Sequence, residues 1–198
     1  MNFLGHLSLA WPHPELMVGG FLGDFVKGPL NKAEFPVKIE SGIRLHRRID
    51  ARSDCNKSIT ELKTELPKEW TRYAGILADL YCDHLVSNPA NQMLNQPTNL
   101  FADECHGLLL EHRHIFGERA KFVFDNMSEG RWLEQYANLN FTAKSLERIG
   151  TRLRFDNPLA HSAEILERHA TSLDRCCRSL YADMQKVVAE WQLEESRL

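Results

Sequence analysis

With 198 residues, 43% hydrophobic and 26% charged side chains, the chain is sized for one domain with its own core, expected to span residues 1–198 without disulfide staples. The net charge of −3 gives no overall attraction to nucleic acid or to an anionic membrane surface, and the sequence has no apolar run of the roughly 18 residues that a transmembrane helix needs. Cys55, Cys82, Cys105, Cys176 and Cys177 are odd in number, irregularly spaced and without a C-x-x-C pair. That pattern excludes a zinc ribbon or disulfide framework and suits a reducing cytoplasm.

In chain order, residues 1–10 carry Phe3, Leu7 and Ala10 at helical spacing, which predicts a short helix packed into the core. Trp11-Pro12-His13-Pro14 ends it, and the start lacks the basic region and long apolar stretch of a secretory leader. His6 sits in this helix, either as a hydrogen-bonded core histidine or as a metal ligand. Residues 18–29 set Gly19, Gly20 and Gly23 among large apolar groups, so that backbone can approach another element or a ligand closely. No G-K-[ST] follows, so this is not a phosphate-cradling P-loop. Asp24 lies beside Phe25 and Val26, and a carboxylate in apolar surroundings calls for a metal, an arginine or a helix N-terminus. Residues 28–37, with two prolines, read as a loop.

The stretch 41–54 reads as a helix with His46, Asp50 and Asp54 at successive i, i+4 positions on one face. An imidazole and two carboxylates along one ridge can hold a divalent cation. The competing reading is a surface helix whose acids pair with Arg44, Arg47, Arg48 and Arg52. Residues 55–66 continue as helix to Pro67, which opens the next helix, running to about Ser87 and stopping at Asn88-Pro89. In it, Asp79 and Asp83 stand at i, i+4 with His84 adjacent, among Leu77, Leu80, Tyr81 and Leu85. Two acids in a buried helix are costly unless paired or bound to metal. The two helices are therefore expected to face one another across a cation.

Residues 88–99 are polar and loop-like, and 100–126 suggest one or two helices. His112 and His114 there are two apart and make a poor metal pair. Short helices are expected at 129–136 and 141–153, a loop at 150–158, and a long helix from Pro158 to about Glu195 with the stripe Leu159, Leu166, Leu173, Leu180, Val187 and Trp191. No strand pattern is present. The expected fold class is all-α.

Four blocks carry a resemblance. Met1-Asn2-Phe3-Leu4-Gly5-His6-Leu7, Gly23-Asp24-Phe25-Val26-Lys27-Gly28, the Gly42–Asp50 stretch with Leu45-His46-Arg47, and Asp79 with Asp83-His84 resemble, in order, the acyl carrier protein phosphodiesterases. The likeness is close over the first 90 residues and rests on length and helical character beyond them. It implies an all-helical fold distantly related to the HD-type metal phosphohydrolases. It also implies hydrolysis of the phosphodiester between the serine of holo-acyl carrier protein and 4′-phosphopantetheine, with a divalent cation, typically manganese, magnesium being possible. Where the family reads His-Leu-His, this chain has His6-Leu7-Ser8, which leaves that position without its second imidazole.

On this footing His6, Asp24, His46, Asp83 and His84 are the expected metal ligands. Asp50 and Asp79 are expected to ligate directly or to hold the ligand imidazoles, and Arg47 or Arg48 to bind phosphate oxygens bidentately. Carrier proteins of this kind are small and strongly acidic, so Arg44, Arg47, Arg48 and Arg52, placed on or beside the ligand-bearing face, are the expected docking surface. An HD-type nucleotide phosphohydrolase and a non-catalytic helical binding protein are the alternatives.

Overall fold

Proline and asparagine punctuate the helices. Pro14 opens α2 at its first position, Pro36 and Pro97 immediately precede α3 and α6, and the side chains of Asn56 and Asn138 accept backbone N–H groups at the starts of α4 and α9. The structure, a computed structural model, describes residues 1–30 and 35–196. Its α-helices are α1 (Phe3–Ala10), α2 (Pro14–Leu22), α3 (Val37–Asp54), α4 (Lys57–Glu65), α5 (Ala74–Ser87), α6 (Thr98–Glu111), α7 (Glu118–Glu129), α8 (Trp132–Gln135), α9 (Leu139–Gly150), α10 (Ser162–Arg168) and α11 (Ala170–Glu195). No strand occurs among the described residues, and the fold is all-α.

The glycine-bearing stretch is helix α2 up to Leu22. Of the loop expected at 28–37, positions 31–34 lie outside the described residues. Two expectations need correction. Pro67 caps a 3-10 segment, Lys68–Tyr73, and α-helical geometry begins only at Ala74. The long C-terminal helix is broken into a 3-10 turn (Pro158–His161), α10 and α11, the last two bending apart at His169 (φ −109°, ψ 20°). The break has a packing cause. The first two pieces lie against α9, whereas α11 covers α3, α4 and α5, so one straight rod could not bury both apolar faces.

The buried apolar residues form one connected cluster. Its aromatic part centres on Phe21, which is fully buried with ring centroids 5.6 Å from Phe3, 5.1 Å from Phe25 and 5.2 Å from Phe116.

The crossing of α2 over α3 brings two backbones together. An ideal Cβ on Gly19 would lie 2.4 Å from the Ile39 carbonyl oxygen and 2.6 Å from the Gly42 Cα, and one on Gly42 would lie 2.7 Å from the Leu16 carbonyl oxygen. Backbone touches backbone here, and only glycine permits it. Gly19→Ala should therefore lower stability by about 1–3 kcal/mol through overpacking. Gly75→Ala, on α5 with nothing within 4 Å of the added methyl, should be neutral or slightly stabilising. Chemical denaturation of the two variants checks the contrast, and equal losses would refute the close-crossing argument.

Candidate metal centre

Three pieces of chain meet beside the α2–α3 crossing. α1 brings His6, α3 brings His46 and Asp50 one turn apart, and the turn after α2 brings Asp24. His46 is fixed from two sides. A Cβ at Gly23 would fall 2.2 Å from the imidazole Cγ, so the ring packs directly against that glycine. Its Nδ1 is 2.8 Å from the Gly20 carbonyl oxygen, which can only accept, so Nδ1 carries the proton. In the neutral ring Nε2 then holds a lone pair, aimed at Asp50 Oδ2 3.1 Å away.

The other oxygen of the same carboxylate, Oδ1, is 3.1 Å from His6 Nε2. The two imidazoles stack with centroids 3.9 Å apart and planes inclined by 26°. One ligand atom from each of His6, His46 and Asp50 lies within 4.8 Å of the others, the one such group of three among the described residues. The imidazoles are buried, while Asp50 is 43% exposed, so the cluster opens to solvent on the carboxylate side.

The electrostatics favour a cation. Burial lowers the His6 pKa to about 3, with the nearby Asp50 opposing, so this ring is neutral at physiological pH. Neither of its nitrogens makes a hydrogen bond of good geometry among the described residues. Burial works to raise the Asp50 pKa, but the His46 and His6 imidazoles more than offset it and hold the carboxyl well below the usual range. Each Asp50 oxygen faces an imidazole Nε2, an arrangement that either a proton on that nitrogen or a shared cation satisfies, and N,O donors of this kind suit a divalent first-row metal. The orphaned nitrogens of His6 fit the same reading.

Around this core, Asp24 Oδ1 stands 4.0 Å from His46 Nε2. The Asp24 pKa is raised, chiefly by burial, with His46 pulling it down and Asp50 pushing it up. Arg47 donates to the Val26 carbonyl oxygen at 2.9 Å and so holds the Asp24-bearing turn.

A profile of the family described as acyl carrier protein phosphodiesterase matches residues 1–184. The chain belongs to the acyl carrier protein phosphodiesterase family. Curated relatives of that name are similar to it from end to end. The protein from Yersinia pestis is 29% identical over 194 residues, covering 98% of this chain and 100% of the relative. That from Pectobacterium atrosepticum is 27% identical over 194 residues with the same coverage. No solved structure gives a significant match.

Within this acyl carrier protein phosphodiesterase chain, the residues singled out in the sequence separate into two sets. His6, His46 and Asp50 converge, with Asp24 and Arg47 alongside, while Asp54 is exposed and outside the group. Asp83 and His84 do not join them. Asp83 is fully buried, and its two oxygens accept the N–H groups of Leu4 (3.0 Å) and Gly5 (2.9 Å). These are donors left unpaired in the first turn of α1, so the carboxylate acts as a cap supplied from another helix and thereby fixes His6. His84 is turned the other way, with Nδ1 2.8 Å from the Tyr136 carbonyl oxygen. Asp79 meets the Met1 amino group at 2.8 Å, and that amine is 4.0 Å from Asp50 Oδ1. Burial alone would lower the amine's pKa, but Asp79 more than offsets it and raises it to about 11.

The expected arginine face also needs correction. Arg48 forms a two-pronged pair with Glu194 and lies 5.5 Å over the Trp191 ring, and Arg44 pairs with Glu40. Arg44, Arg48 and Arg52 follow one another at i, i+4 on a side of α3 away from His46. Sequence reasoning missed the Gly20 carbonyl as the group that orients His46. The cluster of glycines just before Asp24 was its signal.

Two outcomes are expected. Asp50→Ala and His46→Ala should each reduce bound manganese, measured by titration calorimetry, at least tenfold, while His84→Ala should leave it unchanged. Asp83 supplies a pH signature for the fold. Burial first, opposed by the Leu4 and Gly5 amides, raises its pKa from 3.8 to about 7. Across that window the native state binds more protons than the unfolded chain, so this group makes stability fall as pH rises. Asp83→Asn should flatten the pH dependence of the denaturation midpoint between those values.

Proposed function

We propose that the protein is a metal-dependent phosphodiesterase that cleaves the bond between the serine of holo-acyl carrier protein and 4′-phosphopantetheine, releasing apo-carrier. The observation that carries this reading is the convergence of His6, His46 and Asp50, opening to solvent, in a chain of this family. Those three residues would hold the ion. Manganese is the proposed metal and magnesium the alternative, and such an ion supplies Lewis acidity toward phosphoryl oxygen when bound.

The remaining roles belong to the chain. The Gly20 carbonyl keeps His46 in the tautomer that presents Nε2. Asp24, with its raised pKa beside His46, can take the proton of the attacking water at Oδ1. Arg47 donates through one nitrogen to Val26, which leaves further guanidinium N–H groups to bind phosphate oxygen. Asp79 keeps a buried positive charge next to Asp50, countering the acids around the opening. No helix among the described residues is long and apolar enough to cross a membrane. A cytoplasmic setting, with residues 1–198 working as one unit, suits the proposal.

Incubation of holo-carrier with the purified protein and manganese should convert it to apo-carrier, seen by mass spectrometry as loss of one phosphopantetheine. Chelation should stop the conversion, and manganese or magnesium should restore it. An unchanged carrier mass, or full turnover in rigorously metal-free protein, would refute the reading.

A further inference from the structure

Many surface arginines of this protein are neutralised within the fold. Arg113 pairs with Asp125, Arg131 with Asp103, Arg168 with Glu164, and Arg175 with Glu65. One segment gathers several cations outside such pairs. Lys144, Arg148 and Arg152 follow one another at i, i+4 along α9 and the turn after it, and Arg154 comes two residues later. All four are exposed, and none forms an ion pair among the described residues. Glu147 and Asp156 lie in the same segment and pair with none of them. Unpaired cations in a row repel one another, an arrangement that an anionic occupant relieves.

The position of this ridge connects it to the candidate metal centre. Near the start of α9, the Phe141 ring stands 5.2 Å from that of Tyr136, edge to face. The Tyr136 hydroxyl accepts from Asn2 at 2.7 Å, and the neighbouring Met1 amine is 4.0 Å from Asp50. From there α9 runs back along α5. At the far end the exposed Phe155 ring lies 4.6 Å under the Arg72 guanidinium, one turn before Ile76 and two before Asp79. The ridge therefore lies on a helix that packs along α5, the helix whose Asp79 holds the Met1 amine near Asp50.

We propose that the ridge of Lys144, Arg148, Arg152 and Arg154, with Phe155 and Arg72 at its end, is the docking surface for an acidic face of the carrier protein that bears the phosphodiester. The proposal rests on the phosphodiesterase reading. It replaces the arginines of α3, where Glu40 and Glu194 take the charges of Arg44 and Arg48. A chain of net charge −3 has no long-range pull on an acidic partner, so attraction must be local, and this is where unneutralised positive charge gathers. A partner lying along the ridge is held on the helix that packs against α5, and α5 carries the Asp79 that steadies the Met1 amine beside Asp50. The exposed aromatic ring adds an apolar contact at the remote end.

The test compares the triple variant Lys144→Glu, Arg148→Glu, Arg152→Glu with Arg168→Glu as a control on an arginine already paired. With holo-carrier the triple variant should raise KM by about tenfold or more and weaken the salt dependence of kcat/KM, with kcat within about twofold. Turnover of bis(p-nitrophenyl) phosphate should stay unchanged, as should both substrates with the control. The neutralising variant Lys144→Gln, Arg148→Gln, Arg152→Gln, which keeps good helix formers, should give an intermediate KM and covers any misfolding of the reversed one.

A folded triple variant with unmoved KM overturns the docking proposal alone, as does an equal loss on both substrates. The same holds if an oligonucleotide or an anionic vesicle binds the ridge while the carrier's KM does not change. Wild-type protein that hydrolyses bis(p-nitrophenyl) phosphate yet leaves holo-carrier intact overturns the carrier reading, and the docking with it.

Discussion

The approach of α2 to α3, glycine against glycine, is the constraint on which the site depends. Gly19 and Gly42 let the two helices touch along their backbones, and Gly20 and Gly23 on the same short stretch then meet His46. One of them supplies the carbonyl that sets the tautomer, and the other, lacking a Cβ, leaves the room that the ring fills. A bulkier residue at Gly19, Gly42 or Gly23 would separate the helices or tilt the imidazole, and Asp50, a turn further along α3, would move with it. The candidate metal centre is thus a by-product of helix packing density as much as of ligand choice.

A second layer of control is electrostatic. Asp83 does not reach the cluster, yet it acts on it by holding the first turn of α1, and α1 carries His6. Asp79 does so through the Met1 amine, a buried positive charge set between two acids. These two acids of α5 are therefore supports for the helices that carry the converging side chains. Burying an ionisable carboxyl is costly, and at Asp83 two amides offset part of that cost, while half-exposed Asp79 pairs with the buried Met1 ammonium group.

Much of this was legible in the sequence, and the rest fails for identifiable reasons. His46 and Asp50 were readable because i, i+4 spacing on a helix is a local property that tertiary structure does not alter. The need for partners at Asp79 and Asp83 was equally readable from their apolar neighbours. Which partners they take was not, because an amide donor and a metal ion satisfy the same requirement and spacing cannot distinguish them. The arginines of α3 misled for a similar reason. Their side of the helix follows from periodicity, but Glu194 reaches Arg48 from a helix 146 positions later. The break at His169 has no glycine or proline to mark it and is set by the two surfaces that α10 and α11 must cover.

The reach of α11 also governs how the molecule is made. Tyr181 on that helix donates to Ser8 across 173 positions, and Glu195 accepts from Ser41 across 154. The helices that carry His6, His46 and Asp50 are therefore synthesised early, and the helix that covers their apolar backs emerges after all the others described. A nascent chain on the ribosome holds α3, α4 and α5 without the cover of α11 until that helix emerges. Contacts of such long sequence separation slow folding and leave sticky intermediates in the interval. Completion of the fold is thereby tied to the synthesis of α11, and a ribosome that stalls before it yields a chain for chaperones or proteases to clear.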